Sequence, residues 1–342
     1  MAALTASPRS HLDPDMMALL DDLRLRLARV FQSDKDALAL AISGTGTSGL
    51  EAVVANLAEP GKRALAVVTG YFGDRLAQVL ARYGCEVERL DVEWGRAVDP
   101  DAIRRALERR RADLVAVVHA ETSTGVRNPV ADIAPMVREF DALTIVDAVT
   151  SLGAMPLDMA GWGVDACYSC SQKGLGAPSG LAPIAFSTRA LARRVSCRSF
   201  YLDLALLEDY WVRRKYHHTI SAPLVYALSA ALKEVEDEGL AARWQRHEHH
   251  HLALVSRLET IGLTLLPAPA DRLWSLNAVR VPDGADEAGV RKHLLQAHAI
   301  EIGAGLGPLA GKIWRVGLMG SGSTMASVDR VVQALADALG RA

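Results

Sequence analysis

Three segments carry residues whose types and spacing suit chemistry. In the first, Ser43-Gly44-Thr45-Gly46-Thr47-Ser48-Gly49 separates an apolar run from a helical pattern. Small residues let a backbone approach an anion closely, a helix start presents unpaired N–H groups, and Thr and Ser hydroxyls add donors. The run reads either as a phosphate cradle or as a plain strand-to-helix turn. It is not G-x-x-x-x-G-K-[ST], and it fits a dinucleotide fingerprint poorly. In the second segment, Asp147 closes the apolar run Leu143–Val146. Open α/β sheets bind ligands at the carboxyl ends of their strands, although an Asp there also serves as a helix cap or turn residue. In the third, Lys173 leaves a strand into Gly174-Leu175-Gly176-Ala177-Pro178-Ser179-Gly180. A surface lysine needs no such setting. A lysine that forms a Schiff base needs an uncrowded approach and a fixed backbone.

An Asp on one strand end and a Lys on a later one match the needs of pyridoxal phosphate. The carboxylate keeps the pyridine nitrogen protonated, so that the ring serves as an electron sink, and the lysine holds the aldehyde. The elements that must position this pair are legible as alternating patterns. Strands are predicted at Ala37–Ile42, Ala64–Val68, Val87–Leu90, Leu114–Val118, Leu143–Val146, Ala166–Ser169 and Leu181–Phe186. Helices are predicted between them at Thr47–Leu57, Phe72–Tyr83, Asp99–Arg109 and Ala131–Phe140. Such alternation predicts an α/β fold with a mostly parallel central sheet covered by helices on both faces. Beyond Ser221 come two long helices, Leu224–Glu238 and Leu240–Ile261, broken by Gly239. A strand (Ser275–Val281), a helix (Glu287–Ala297), a strand (Lys312–Val316) and a last helix (Ser327–Leu339) follow. The expected organisation is a large domain over 1–238, with a short N-terminal arm over 1–14, and a smaller α+β domain over 239–342.

The composition sets bounds. The chain has 342 residues, with 38 Lys+Arg against 40 Asp+Glu, a formal net charge of −2. That excludes a strongly basic nucleic-acid binder and gives no electrostatic reason for an anionic membrane surface. The apolar runs are too short to span a bilayer, and the first residues hold no apolar signal core, so a cytoplasmic protein is expected. Cys85, Cys167, Cys170 and Cys197 are scattered; Cys167 and Cys170 form C-Y-S-C without a second ligand pair, so buried thiols are expected rather than a zinc site. In the run Arg246–His251, His247 and His251 are four apart and would face one metal. On a charged helix without an acidic partner motif they read instead as a solvated face, and no metal is expected. His119 reads as a satisfied strand-end histidine.

The segments S-G-T-G-T-S-G-L-E-A, H-A-E-T-S-T-G-V-R-N-P, I-V-D-A-V-T-S-L-G, S-Q-K-G-L-G-A-P-S-G, Y-H-H-T and W-R-V-G-L-M-G together resemble the alanine–glyoxylate and serine–glyoxylate aminotransferases. These belong to the class V, fold type I pyridoxal-phosphate enzymes. The segments occur in family order from about Ser10 onward. The resemblance implies that Lys173 is the Schiff-base lysine and Asp147 the partner of the pyridine nitrogen. It implies Val149 on one ring face, Phe72 stacked on the other where the family often has Trp, and Thr122 on the ring hydroxyl. Thr45, Gly46, Thr47 and Gln172 are implied phosphate contacts. Tyr216 and Thr219, in Y-H-H-T, are implied phosphate contacts donated by a neighbouring subunit, hence a homodimer with shared sites. Arg315 is the implied clamp for the substrate α-carboxylate, a group that a bidentate fork suits. Without the resemblance, an Arg on a strand is commonly an ion-pair partner.

The activity implied is ping-pong transfer of an amino group, through pyridoxamine phosphate, from a small amino acid (alanine, serine or aspartate) to a 2-oxo acid such as glyoxylate or pyruvate. A class V lyase or desulfurase, or a non-catalytic cofactor-binding relic, are the alternatives. One departure concerns the start: only Met1–Ser10 precedes His11-Leu12-Asp13-Pro14, where family members usually carry a Gly-Pro-rich segment that lines the substrate side.

Overall fold

The computed structural model describes residues 2–340. After a single 3-10 turn, helix α1 (Pro14–Phe31) opens the fold. The alternation pattern did not single it out, yet its start is well specified. Asp13 caps it by accepting from the Asp15 N–H, Pro14 stands in the first turn, and Gln32 closes it in the left-handed region, as expected of such termini. Its apolar stripe, Met16, Leu20, Leu23 and Leu27, is fully buried.

Strands β1 (Leu38–Gly44), β2 (Arg63–Val68), β3 (Glu86–Asp91) and β4 (Leu114–Val118) alternate with helices α2 (Gly46–Leu57), α3 (Tyr71–Arg82) and α4 (Pro100–Arg109). A two-stranded hairpin, β5 (Ala120–Glu121) with β6 (Val126–Arg127), leads to α5 (Val130–Glu139), and β7 (Leu143–Asp147) follows. The short helix α6 (Met159–Trp162) precedes β8 (Ala166–Tyr168) and β9 (Gly180–Phe186), and α7 (Thr188–Ala192) and α8 (Leu204–Trp211) complete the layer. Seven strands form one sheet in the order β1-β9-β8-β7-β4-β2-β3. The pairs β2–β3, β2–β4, β4–β7 and β7–β8 are parallel. β9 alone is reversed, pairing antiparallel with β8 and β1. β4 and β7 are buried along their whole length, because helices cover both faces. The edge strand β3 instead carries charge: Arg89 pairs with Asp74 and Asp91, Arg109 with Glu88, and Arg110 with Glu86. Such pairs blunt an open edge.

Helices α9 (Ala222–Glu238) and α10 (Leu240–Thr260) meet at Gly239, whose φ of 80° lies where glycine is favoured. Strands β10 (Leu276–Arg280), β11 (Gly303–Ala304) and β12 (Ile313–Gly317) form a second, antiparallel sheet in the order β10-β12-β11, with α11 (Glu287–His298) and α12 (Met325–Ala338) packed against it. This layer has its own apolar core, including Leu254, Leu258, Leu294, Trp314, Val328 and Leu335. No helix among the described residues is long and apolar enough to cross a membrane.

The histidine run corrects one expectation. Arg246–His251 is not a solvated face: His247, His250 and His251 are buried. His247 Nδ1 lies 2.7 Å from the Arg243 carbonyl, and its Nε2 accepts from the Gly320 N–H at 3.0 Å. His250 Nδ1 meets Ser323 Oγ at 3.0 Å, and His251 Nδ1 meets Asn277 Oδ1 at 2.6 Å. Buried imidazoles need partners, and these lie on the second sheet and the loop after it. The run therefore fastens α10 to that layer, and its rings are already engaged.

Candidate active site

Six of the seven strands of the large sheet run the same way, so their carboxyl ends share one edge. A cavity of about 170 Å³ opens there. Nine of the residues singled out in the sequence line it: Thr45, Gly46, Thr47, Phe72, Thr122, Asp147, Val149, Gln172 and Lys173.

Asp147 ends β7 at the cavity floor and is only 6% exposed. Its Oδ1 accepts from the Val149 N–H at 2.8 Å, and its Oδ2 accepts from the Tyr168 hydroxyl at 2.7 Å. Burial pushes its pKa up to about 7, against the pull of those two hydrogen bonds. Tyr168 stays protonated, because burial and the Asp147 charge hold its pKa well above the usual value. Asp147 is thus a carboxylate poised near neutrality with its orientation fixed from both sides.

Lys173 follows β8, and its setting is steric as much as chemical. A Cβ on Gly174 would lie 2.3 Å from the Leu152 carbonyl oxygen, so only glycine fits beside it. The Gly176 N–H donates to the Lys173 carbonyl at 3.0 Å. Buried Arg243, paired with Glu238, donates to the Gly174 carbonyl at 2.9 Å. The backbone is held while the Lys173 amine makes no hydrogen bond or ion pair among the described residues. Burial lowers its pKa, the Arg315 charge lowers it further, and Asp147 opposes both. A lysine with a depressed pKa and an unengaged amine suits a nucleophile or base.

The third component is the start of α2. Thr45 caps it in an extended conformation without a side-chain cap bond, which leaves the first N–H groups of a twelve-residue helix for a ligand. A Cβ on Gly46 would come within 2.9 Å of Val149 Cγ2. The glycine therefore keeps the cradle open and Val149 in place. An anion-accepting helix start, an unpartnered amine and a buried carboxylate around one cavity fit the phosphate, aldehyde and ring nitrogen of pyridoxal phosphate.

Three predicted residues do not line this cavity. Tyr216 is 61% exposed, with its hydroxyl 3.5 Å from Thr219 Oγ1 and its ring beside His11; Thr219 is exposed too. Arg315 lies in β12, where its Nε donates to the Ala304 carbonyl at 2.7 Å. Gly303, opposite it in β11, leaves room for the guanidinium: a Cβ there would sit 3.1 Å from an Arg315 terminal nitrogen. Arg315 makes no ion pair among the described residues. Burial pulls its pKa down and the Glu121 charge opposes that.

The sequence reading missed Arg75, Tyr168 and Glu121. Arg75 and Tyr168 line the cavity. Glu121 is fully buried and accepts from the Phe72 and Gly73 N–H groups and from the Ser123 N–H and hydroxyl, so it caps α3 and sets the backbone that carries Phe72. A lone acid in the otherwise uncharged stretch after Leu114–Val118 was the available signal. His119 corrects another expectation. It is 3% exposed, stands edge-on to Trp162, and its Nδ1 has no hydrogen-bond partner among the described residues. Burial drives its pKa down to about 3, so it is a neutral, unsatisfied histidine. Cys85, Cys167 and Cys170 are buried as expected, and Cys197 is half-buried.

A parallel α/β sheet with this cavity at its carboxyl edge defines a fold type I pyridoxal-phosphate enzyme. The chain matches the family model for class V aminotransferases over residues 1–327. It is 37% identical to the (S)-ureidoglycine–glyoxylate transaminase of Bacillus subtilis over 331 residues, covering 90% of this chain and 79% of the relative. It is 35% identical to the alanine–glyoxylate aminotransferase of Drosophila melanogaster, covering 99% and 88%. The crystal structure of an alanine–glyoxylate aminotransferase from Nostoc sp. superposes with a TM-score of 0.96 at 46% identity, covering 99% and 91%. The chain belongs to the class V aminotransferases and is a pyridoxal-phosphate-dependent transferase.

Proposed function

We propose that this aminotransferase moves the amino group of a small amino acid, with alanine, serine and aspartate as candidate donors, to glyoxylate, with pyruvate as a second acceptor. The unengaged Lys173 amine in the same cavity as Asp147 carries the reading. The names of the relatives support glyoxylate as acceptor.

Lys173 would hold the cofactor aldehyde, and Asp147 its ring nitrogen, oriented by Tyr168 and the Val149 N–H. Phe72 and Val149 would flank the ring, and Thr122, buried beside them, would meet its hydroxyl. Thr45, Gly46, Thr47 and Gln172 would hold the phosphate. Bound pyridoxal phosphate supplies an electron sink that acidifies the substrate α-hydrogen. Lys173 Nζ would be the base that takes that proton and hands it back, a role suited to an amine whose pKa burial lowers. The Arg315 guanidinium, free of any acidic partner, would receive the α-carboxylate shared by amino and oxo acids. Tyr216 and Thr219, exposed on this chain, would reach the phosphate end of a second copy's cavity, so the active unit is a homodimer.

Cysteine-based chemistry has little to work with. Cys170, beside the cavity, has its thiol pKa pushed up to about 11 by burial, so it holds almost no thiolate. The deciding experiment is a panel of donors against glyoxylate, pyruvate and oxaloacetate, with Lys173→Ala as control. Amino transfer from one of the three donors to glyoxylate, lost in Lys173→Ala, is the expected result. Elimination or desulfuration without amino transfer, or a borohydride-reduced cofactor adduct on another lysine, would overturn it.

A further inference from the structure

Two cations line the cavity, Lys173 and Arg75. Lys173 has its chemistry, but Arg75 has none yet. Arg75 is the fifth residue of α3, three residues after Phe72, so the two share a helix face. Its guanidinium lies 5.0 Å from the Phe72 ring centroid and 5.3 Å from that of Tyr71. Its one side-chain hydrogen bond among the described residues runs from a terminal nitrogen to Thr47 Oγ1 at 3.1 Å. It forms no ion pair among the described residues, whereas neighbouring Asp74 is taken by Arg89.

Two features of that contact matter. A hydroxyl that accepts from a guanidinium keeps its own hydrogen for another acceptor. Thr47 is in the opening turn of α2, so its hydroxyl is left to donate to whatever anion sits at the helix start. Asp147 shares the cavity and feels the Arg75 charge, but no carboxylate forms an ion pair with the guanidinium among the described residues, so its charge is left largely for a ligand. A phosphate monoester carries about −1.5 to −2 at neutral pH, while a helix terminus supplies only about half a charge. The rings of Phe72 and Tyr71 hold the guanidinium without neutralising it.

We propose that Arg75 is a phosphate-recognition residue of the cavity, acting through Thr47 and by its own unpaired charge. This rests on the reading that the start of α2 holds the cofactor phosphate. It separates recognition of the phosphorylated ligand from recognition of its ring.

The test compares ligands with and without the phosphate. Pyridoxal phosphate and pyridoxal are bound to the full-length, cofactor-stripped protein, with inorganic phosphate as competitor, and equilibrium constants are read from ligand absorbance and protein fluorescence. Arg75→Gln should weaken pyridoxal phosphate about ten- to a hundred-fold and pyridoxal less than threefold. Arg75→Lys should recover part of the loss, because the charge remains and the fork does not. Combined with Thr47→Val, the two losses should be strongly non-additive, since one acts through the other. Equal losses for both ligands would reduce Arg75 to a packing partner of Phe72 and overturn the proposal, as would no loss in either. If the wild-type chain itself binds pyridoxal as tightly as pyridoxal phosphate, the reading of the α2 start fails instead. Should Arg75→Gln not fold, Arg75→Lys and phosphate competition on the wild-type chain still decide. A Lys variant indistinguishable from wild type, together with phosphate that does not compete, would reject the role.

Discussion

Removing a single oxygen atom tests how Asp147 is held. Tyr168→Phe deletes the hydroxyl that donates to Oδ2 at 2.7 Å and leaves the ring in its buried place. The Val149 N–H to Oδ1 remains. Hydrogen bonds to charged groups contribute about 1.5–3 kcal/mol, which moves the protonation midpoint by about one to two pH units. The direction is upward, because the lost bond favoured the ionised form. Asp147, already raised to about 7 from a usual 3.8 by burial, would then stay protonated at neutral pH. A carboxyl whose pKa is raised on folding binds more protons in the folded than in the unfolded chain. The stability it contributes is therefore complete below the unfolded pKa and is lost as pH rises through the folded one. In the cofactor-stripped protein, wild type and variant should melt at similar temperatures near pH 5. They should diverge above pH 7, with the variant less stable by about 1.5–3 kcal/mol near pH 9. Melting scans across that range provide the assay. A gap that is the same at every pH would mean the hydroxyl matters only for packing, and would refute the argument.

Gly174→Ala should lower the melting temperature and loosen the Lys173 turn, at a cost of at least about 1–3 kcal/mol, because the new Cβ would sit 2.3 Å from the Leu152 carbonyl oxygen; an unchanged melting curve would contradict the steric reading. Arg315→Ala should raise KM for amino and oxo acids alike, by about 1.5–3 kcal/mol per lost hydrogen bond, with Arg315→Lys recovering little and cofactor affinity unchanged; a lower melting temperature with intact KM would mark a structural arginine. His119, held at a pKa of about 3, and His218, His247 and His251, each at about 4, are all depressed from 6.5 by burial. Their stability contribution is complete above pH 6.5 and is lost as pH falls through the folded values, while Asp147 works in the opposite sense below 7. Unfolding of the stripped chain should thus take up about three protons near pH 5, and a stability that is flat from pH 6.5 to 5 would refute the burial of these rings.

Part of the cavity lining was legible because some of its residues sit where a local pattern changes. Asp147 closes an apolar run, Lys173 enters a Gly-rich turn and Gly46 opens a helical pattern, so punctuation marked these three, whereas Phe72, Thr122, Val149 and Gln172 were named only through the family resemblance. What escaped the sequence depends on distant contacts. Arg75 is defined by Thr47 across 28 residues, and Glu121 by Gly73 across 48. The histidine run was read from its charged neighbours. Its real partners, Gly320, Ser323 and Asn277, lie 26 to 73 residues further on, and nothing in the run itself announces them. Helix α1, whose start Asp13 and Pro14 mark, lies ahead of the first strand at Leu38 and so outside the strand–helix alternation.

The charges around the cavity explain why this site is built for a ligand that brings its own. Lys173 and Asp147 share the cavity but form no ion pair, and burial drives both toward neutrality, the lysine downward and the carboxyl upward. An ion pair between them would satisfy each and leave the amine unreactive. Keeping them apart costs solvation that no neighbouring protein group returns. A ligand carrying a protonated ring nitrogen at one end, an aldehyde at the other and a phosphate at the α2 start would return it at three points. The two arginines, Arg75 and Arg315, stand likewise without acidic partners, one on the large sheet's helix layer and one on the small sheet. In most surface arginines of this chain, by contrast, the guanidinium meets a carboxylate. The half-buried Arg127 and Arg272 also lack a carboxylate partner among the described residues but donate to the Ala270 and Pro267 carbonyls, whereas Arg75 lines the cavity and the Arg315 charge is felt by Lys173 inside it. Substituting Arg75 or Arg315 should therefore change binding of an anionic ligand more than it changes the melting of the ligand-free chain.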